Sequence, residues 1–120
     1  MKETNIQALS LVEASRYEHT FVWRNQTGKF RSMDAKRIVN VGVKGAADSL
    51  AVVRVKITPE MVGSYIGVAC AMEFKVPKTG RLSEDQKNWA RKFSECGGKY
   101  AVIRSPDEAK EFIESVKSGK

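Results

Sequence analysis

A mixed α/β fold, with one central β-sheet flanked by α-helices, is the class this 120-residue sequence predicts. Three observations carry that reading. Two strongly apolar runs, 49–57 and 65–76, have the composition of strands. Two later segments, beginning near Leu82 and at Ser105, place apolar residues at spacings of three and four behind capping motifs. The elements also follow the order helix, several strands, then helix, strand, helix, which lets a sheet bury its faces against helices.

Taken in order, Thr4-Asn5-Ile6-Gln7 has the form of a capping box and predicts a helix to about Tyr17, with Ile6, Leu9 and Val12 on one face. Phe21-Val22-Trp23 reads as a short strand, closed by the turn-like Asn25-Gln26-Thr27-Gly28. Residues 29–37 are basic and polar and read as a loop, and Ile38 to Val43 as a brief strand or extended segment. Ser49 to Ile57 alternates through Leu50, Val52, Val55 and Ile57 until Pro59 stops it. Tyr65 to Val76 is nearly continuous in apolar residues, the pattern of a strand buried on both faces. Pro77-Lys78-Thr79-Gly80 is a turn. Ser83 then caps a helix whose inner face is Leu82, Gln86, Trp89, Phe93 and Cys96, and Gly97-Gly98 ends it. Tyr100 to Ile103 is a short strand. Ser105-Pro106-Asp107-Glu108 opens the last helix, expected to bury Ala109, Phe112, Ile113 and Val116.

The length suits one domain over residues 1–120, with a modest single core. Polar groups are spread through residues 1–15, which are expected to make neither a signal peptide nor a membrane anchor, and no run approaches the about 18 apolar residues of a membrane span. Cys70 and Cys96 are far apart, in apolar surroundings and without metal-ligand spacing, so both are expected to be buried free thiols. A cytoplasmic protein is the expectation. The net charge of +7 is unevenly placed: residues 24–56 hold eight Lys and Arg against two acids, and residues 75–104 hold eight against three. Such patches neutralise phosphate and favour nucleic acid over a merely solvated surface. The single His19 has no Ser or Cys partner in a motif, and no glycine-rich phosphate loop is present. Nucleophilic triads and nucleotide-phosphate cradles are therefore set aside.

Glu73-Phe74-Lys75 ends the second apolar run. Alternation puts Glu73 and Lys75 on one face and is expected to turn Phe74 into the core. Upstream, Asp48 follows the small residues Gly45-Ala46-Ala47 and precedes a strand, where it can meet Glu73. Two carboxylates can hold a hard divalent cation, and an ammonium beside them can meet developing charge. The plain alternatives are a surface Glu-Lys pair and an Asx turn at Asp48. Gln86 occupies an inward position where an apolar side chain packs better, so its amide needs partners. Either the site supplies them or the capping box Ser83-x-x-Gln86 does; the residues alone leave both open.

The ordered motifs resemble the VRR-NUC domain family, a branch of the PD-(D/E)XK nuclease superfamily. They are Glu3-x-x-x-Gln7, Trp23-Arg24-Asn25-x-x-Gly28, Val43-x-Gly45-x-x-Asp48, Met72-Glu73-x-Lys75 and Thr79-Gly80-Arg81-Leu82-Ser83-x-x-Gln86-x-x-Trp89. Gly97-Gly98 and Val102-x-Arg104-Ser105 complete them. Ala47 stands where the family often has proline. The resemblance implies a restriction-endonuclease-like core, with Asp48, Glu73 and the Phe74 carbonyl as ligands of Mg²⁺ or Mn²⁺. Lys75 would be the catalytic lysine, Gln86 a supporting residue, and Glu3 an assisting glutamate of the first helix.

Stand-alone members from phages and bacteria resemble Holliday-junction resolvases, which act as homodimers on branched DNA. The expected function is thus a structure-selective endonuclease in a bacterial or phage-infected cell. Arg24, Lys29, Arg31, Lys36, Arg37, Lys44, Lys78 and Arg81 are expected to grip the backbone. A flap or single-strand nuclease and a non-catalytic nucleic-acid-binding module are the alternatives.

Overall fold

A computed structural model describes residues 2–25, 28–31 and 36–119, with only the backbone of 28–31 and 39–41. The chain is mixed α/β and forms two compact units, Met1–Ala51 and Val52–Lys120. Among the described residues the strands pair two by two, β1 with β4, β2 with β3 and β5 with β6, rather than in one continuous central sheet.

The first unit opens with α1 (Glu3–Ala14), which packs against β1 (Thr20–Arg24). The expected capping box at Thr4 does not form. Lys2 is the N-cap, without a side-chain cap, so Thr4 and Gln7 lie inside the helix and Glu3 occupies its first turn. The expected inner face is also displaced: Gln7, Leu11 and Ala14 are half-buried, while Ile6, Leu9 and Val12 are exposed. Gln7, Leu11 and Ala14 supply a narrower contact stripe than the apolar count suggested. After a turn with His19 at φ 56°, β1 runs to Arg24. Residues expected to be loop contain β2 (Gly28–Arg31), antiparallel to β3 (Ile38–Val41), with Gly28 opposite Val41 and Arg31 opposite Ile38. Gln26 and Thr27 of the expected turn lie outside the described residues. β4 (Ser49–Val53) ends four residues sooner than its alternation predicted.

The second unit is built on a parallel pair, β5 (Cys70–Phe74) and β6 (Lys99–Ile103), joined through α2 (Glu84–Glu95). α3 (Pro106–Lys117) follows, and both helices pack on β6. β5 is shorter than the apolar run around it, and it is not buried on both faces. Ala71, Glu73 and Lys75 are half-buried, whereas Cys70, Met72, Phe74 and Val76 are exposed. The Phe74 ring thus faces solvent rather than the core, at 67% exposure. Cys96 is buried as expected and Cys70 is not; both are free thiols. Phe93, Cys96 and Ile103 form the buried apolar centre of this unit. In α3, Ala109, Phe112 and Val116 are half-buried and Ile113 is exposed. No helix among the described residues is long and apolar enough to cross a membrane.

Candidate functional site

In the second unit, the helix cap builds the site. Ser83 Oγ accepts from the Gln86 N–H at 3.1 Å, and Gln86 Oε1 accepts from the Ser83 N–H at 3.0 Å. Those two bonds fix the Gln86 side chain against its own helix and leave its NH₂ pointing outward. That NH₂ donates to Glu73 Oε1 at 2.7 Å. The two roles that the sequence left open are filled by one amide at once.

Glu73 and Lys75 lie on the half-buried face of the chain at the end of β5, as alternation required. Lys75 Nζ stands 3.6 Å from Glu73 Oε1, with side chains 21% and 32% exposed. The other ion pairs among the described residues, Arg16–Glu13, Lys87–Glu84 and Arg91–Glu95, are 57–85% exposed. Glu73–Lys75 is therefore less exposed than those surface pairs, and a third polar group, Gln86, supports it. The ladder continues one step past β5 through Lys75 N–H to Ile103 O at 3.1 Å, which fixes the lysine backbone. The following turn closes tightly on it. A Cβ at Gly80 would lie 2.9 Å from the Lys75 Cβ, so a side chain there pushes against the residue that carries the ammonium.

Tyr100 is a neighbour that sequence reasoning passed over. The parallel register sets it opposite Ala71, two residues before Glu73, and it lines a cavity with Glu73, Gln86 and Trp89. Its phenol is pushed above the ordinary value of 10.0, first by burial and then by the negative charge of Glu73. The sequence shows Tyr100 as one apolar residue in a short strand. Only the pairing with β5 reveals its place.

In the first unit, Asp48 precedes β4. Its carbonyl accepts from the Asn25 N–H at 2.8 Å, and the Asn25 side chain donates to Ala47 O at 3.1 Å. These bonds hold the backbone and leave the exposed carboxylate at the rim. No hydrogen bond to that carboxylate is made among the described residues, so Asp48 is not closing an Asx turn. Glu3, Gln7, Ser10 and Asp48 line a single cavity of about 310 Å³ between α1 and the strands. The first-helix glutamate and the upstream aspartate thus share one space.

Arg24, Lys36, Arg37, Lys44, Lys78 and Arg81 are all exposed. The Arg81 guanidinium also donates to Lys78 O at 2.7 Å and Gly80 O at 3.2 Å, bracing the turn after Lys75. The side chains of Lys29 and Arg31 lie outside the described residues.

Among the described residues, no three His, Cys, Asp or Glu side chains gather into one metal-holding group. The donors proposed from the sequence, the Asp48 and Glu73 carboxylates and the Phe74 carbonyl, are all oxygen. That chemistry fits a hard divalent cation and disfavours a soft one. Comparison of the chain with family models, with curated proteins and with solved structures returns no match.

Proposed function

We propose that this protein is a Mg²⁺- or Mn²⁺-dependent, structure-selective DNA endonuclease with a restriction-endonuclease-like core, acting as a homodimer on four-way junctions. The observation that carries the reading is the half-buried Glu73–Lys75 pair with Gln86 Nε2 fixed 2.7 Å from the same carboxylate. Half-burying two opposite charges strips part of their hydration, a cost that their mutual attraction and the Gln86 bond offset. A short strand end that keeps such a pair, on a chain with net charge +7, is suited to work on a polyanion.

Each residue has a part. Gln86 holds the Glu73 carboxylate in one orientation, because the helix cap holds Gln86. Lys75 brings positive charge to the same face, opposing the charge that develops on a phosphate oxygen as water attacks. Asp48, Glu73 and the Phe74 carbonyl would hold the cation, and Glu3 would assist from the cavity it shares with Asp48. When bound, the cation supplies Lewis-acid polarisation of the phosphate and makes water easier to deprotonate near neutral pH. Arg24, Lys29, Arg31, Lys36, Arg37, Lys44, Lys78 and Arg81 would hold the DNA backbone.

The test is a cleavage panel of four-way junction, flap, splayed arm and plain duplex with Mg²⁺ or Mn²⁺, run beside a measurement of oligomeric state. Junction scission by a dimer is expected. Asp48→Ala and Lys75→Ala are each expected to abolish cutting while leaving binding largely intact. Cutting retained in both variants sinks the assignment. Cutting confined to flaps or single strands would make the protein a nuclease of that other kind, and binding without scission a non-catalytic module.

A further inference from the structure

The cavity beside Glu73 has the walls of a binding site for a flat ring. It encloses about 200 Å³ and is lined by Ala71, Met72, Glu73, Gln86, Trp89 and Tyr100. Sites for drug-sized ligands run from about 300 Å³ upward, so this one suits a single heterocycle without its sugar and phosphate. Trp89 and Tyr100 face it with ring centroids 6.1 Å apart and planes tilted by 52°. A flat guest can stack on one ring and meet the other with its edge. Trp89 is backed by Phe93, stacked at 4.9 Å and 14° and itself only 1% exposed, so the platform is rigid.

The polar edge of the cavity is equally defined. Gln86 Nε2 spends one hydrogen on Glu73 and, as an NH₂ group, carries a second. Glu73 receives Gln86 and Lys75 on Oε1, and a carboxylate has two oxygens to offer. A donor and an acceptor thus stand side by side against an aromatic floor. That combination matches the hydrogen-bonding edge and π-face of a nucleobase.

We propose that this cavity receives one unstacked nucleobase of the substrate strand, stacked on Trp89 and bonded at its edge by Gln86 and Glu73. The proposal rests on the nuclease reading and deepens it, because it gives structure selectivity a physical source. A base inside a duplex must first be unpaired and unstacked, at a cost of a few kcal/mol, whereas a branch point or bulge presents one ready. Lys75, on the same face as Glu73 and 3.6 Å from its carboxylate, supplies positive charge beside the cavity.

The experiment uses the wild-type protein without divalent cation, so that no strand is cut. Three duplexes are compared: one with a single unpaired fluorescent adenine analogue, one with the analogue paired, and one abasic at that position. Quenching of the unpaired analogue is expected, with binding about 10-fold tighter than to the abasic probe, the scale of one stacked base. Ala71→Leu fills the cavity while leaving every aromatic ring in place, and should remove both effects. Equal affinity for the unpaired and abasic probes overturns the proposal, and that comparison needs no variant. So does undiminished quenching in an Ala71→Leu protein whose circular dichroism matches the wild type. Quenching without scission in Mg²⁺ or Mn²⁺ would leave the base site standing and remove the nuclease. Scission without quenching would do the reverse.

Discussion

Gln86 shows how one side chain can serve a helix and a site together. Its Oε1 belongs to the cap with Ser83 and its Nε2 to Glu73, so the two roles are separable by substitution. Ser83→Ala removes the cap acceptor alone. It should lower stability by about 1 kcal/mol in chemical denaturation and leave cleavage nearly unchanged. Gln86→Glu keeps an acceptor for the Ser83 N–H but sets a second carboxylate against Glu73. Cleavage should then drop by about 10- to 100-fold, the usual effect of losing an orienting partner, alongside the stability cost of two facing carboxylates. Equal losses in both assays for both variants would mean that the amide only caps. At this scale the sequence was informative about spacing and silent about direction. Ser83-x-x-Gln86 was readable as a box because a cap is local, and Glu73 and Lys75 were readable as sharing a face because strand period is fixed at two. That this face, and not the one bearing Phe74, lies under α2 depends on where a helix packs.

At the scale of elements, α2 ends as its two glycines required. The Gly98 N–H reaches Phe93 O and the Gly97 N–H reaches Ser94 O, each at 3.0 Å, with Gly97 at φ 97°. That pairing is the Schellman pattern. The glycines are there for different reasons. A Cβ at Gly97 meets nothing within 4 Å, so its constraint is the backbone angle; a Cβ at Gly98 would lie 2.3 Å from the Phe93 ring. Gly98→Ala should therefore cost roughly 1–3 kcal/mol by overpacking. Added to Phe93→Leu, which frees space at that spot, it should cost less than in the wild type. An unchanged increment in the double variant would point to backbone strain instead. The same turn explains an element the sequence over-extended. β6 is bounded by Gly98 and by Ser105-Pro106, so its five residues can pair with only five of β5. The apolar stretch from Tyr65 to Val68 has no strand beside it in this pair, whatever its composition. β2 is the converse case: Gly28–Arg31 is poor in strand formers and becomes a strand because β3 offers it a partner. Pairing is a tertiary event, and propensity is a weak guide to it.

For the whole molecule, charge is the property with the longest reach. Of the cations expected to grip DNA, the six with described side chains, Arg24, Lys36, Arg37, Lys44, Lys78 and Arg81, are all exposed. If about six phosphates are neutralised, junction affinity should fall by roughly 10³-fold between about 50 and 200 mM salt, linearly in the logarithms. Binding by the Lys75→Ala protein in a salt series would measure this without cleavage. A flat response would remove the polyanion argument. Composition fixes that charge whatever the fold, and for the same reason the mixed α/β class, the two capped helices and the shared face of Glu73 and Lys75 were determined by sequence alone. Each depends on residues within a turn or two of one another. Tertiary structure decided the rest: the length of β5, the exposure of Phe74, the meeting of Gln86 with Glu73, and the placing of Tyr100 and Trp89 around a cavity. Those contacts join residues 11 or more positions apart, and local periodicity carries no information about which distant segment comes to lie alongside.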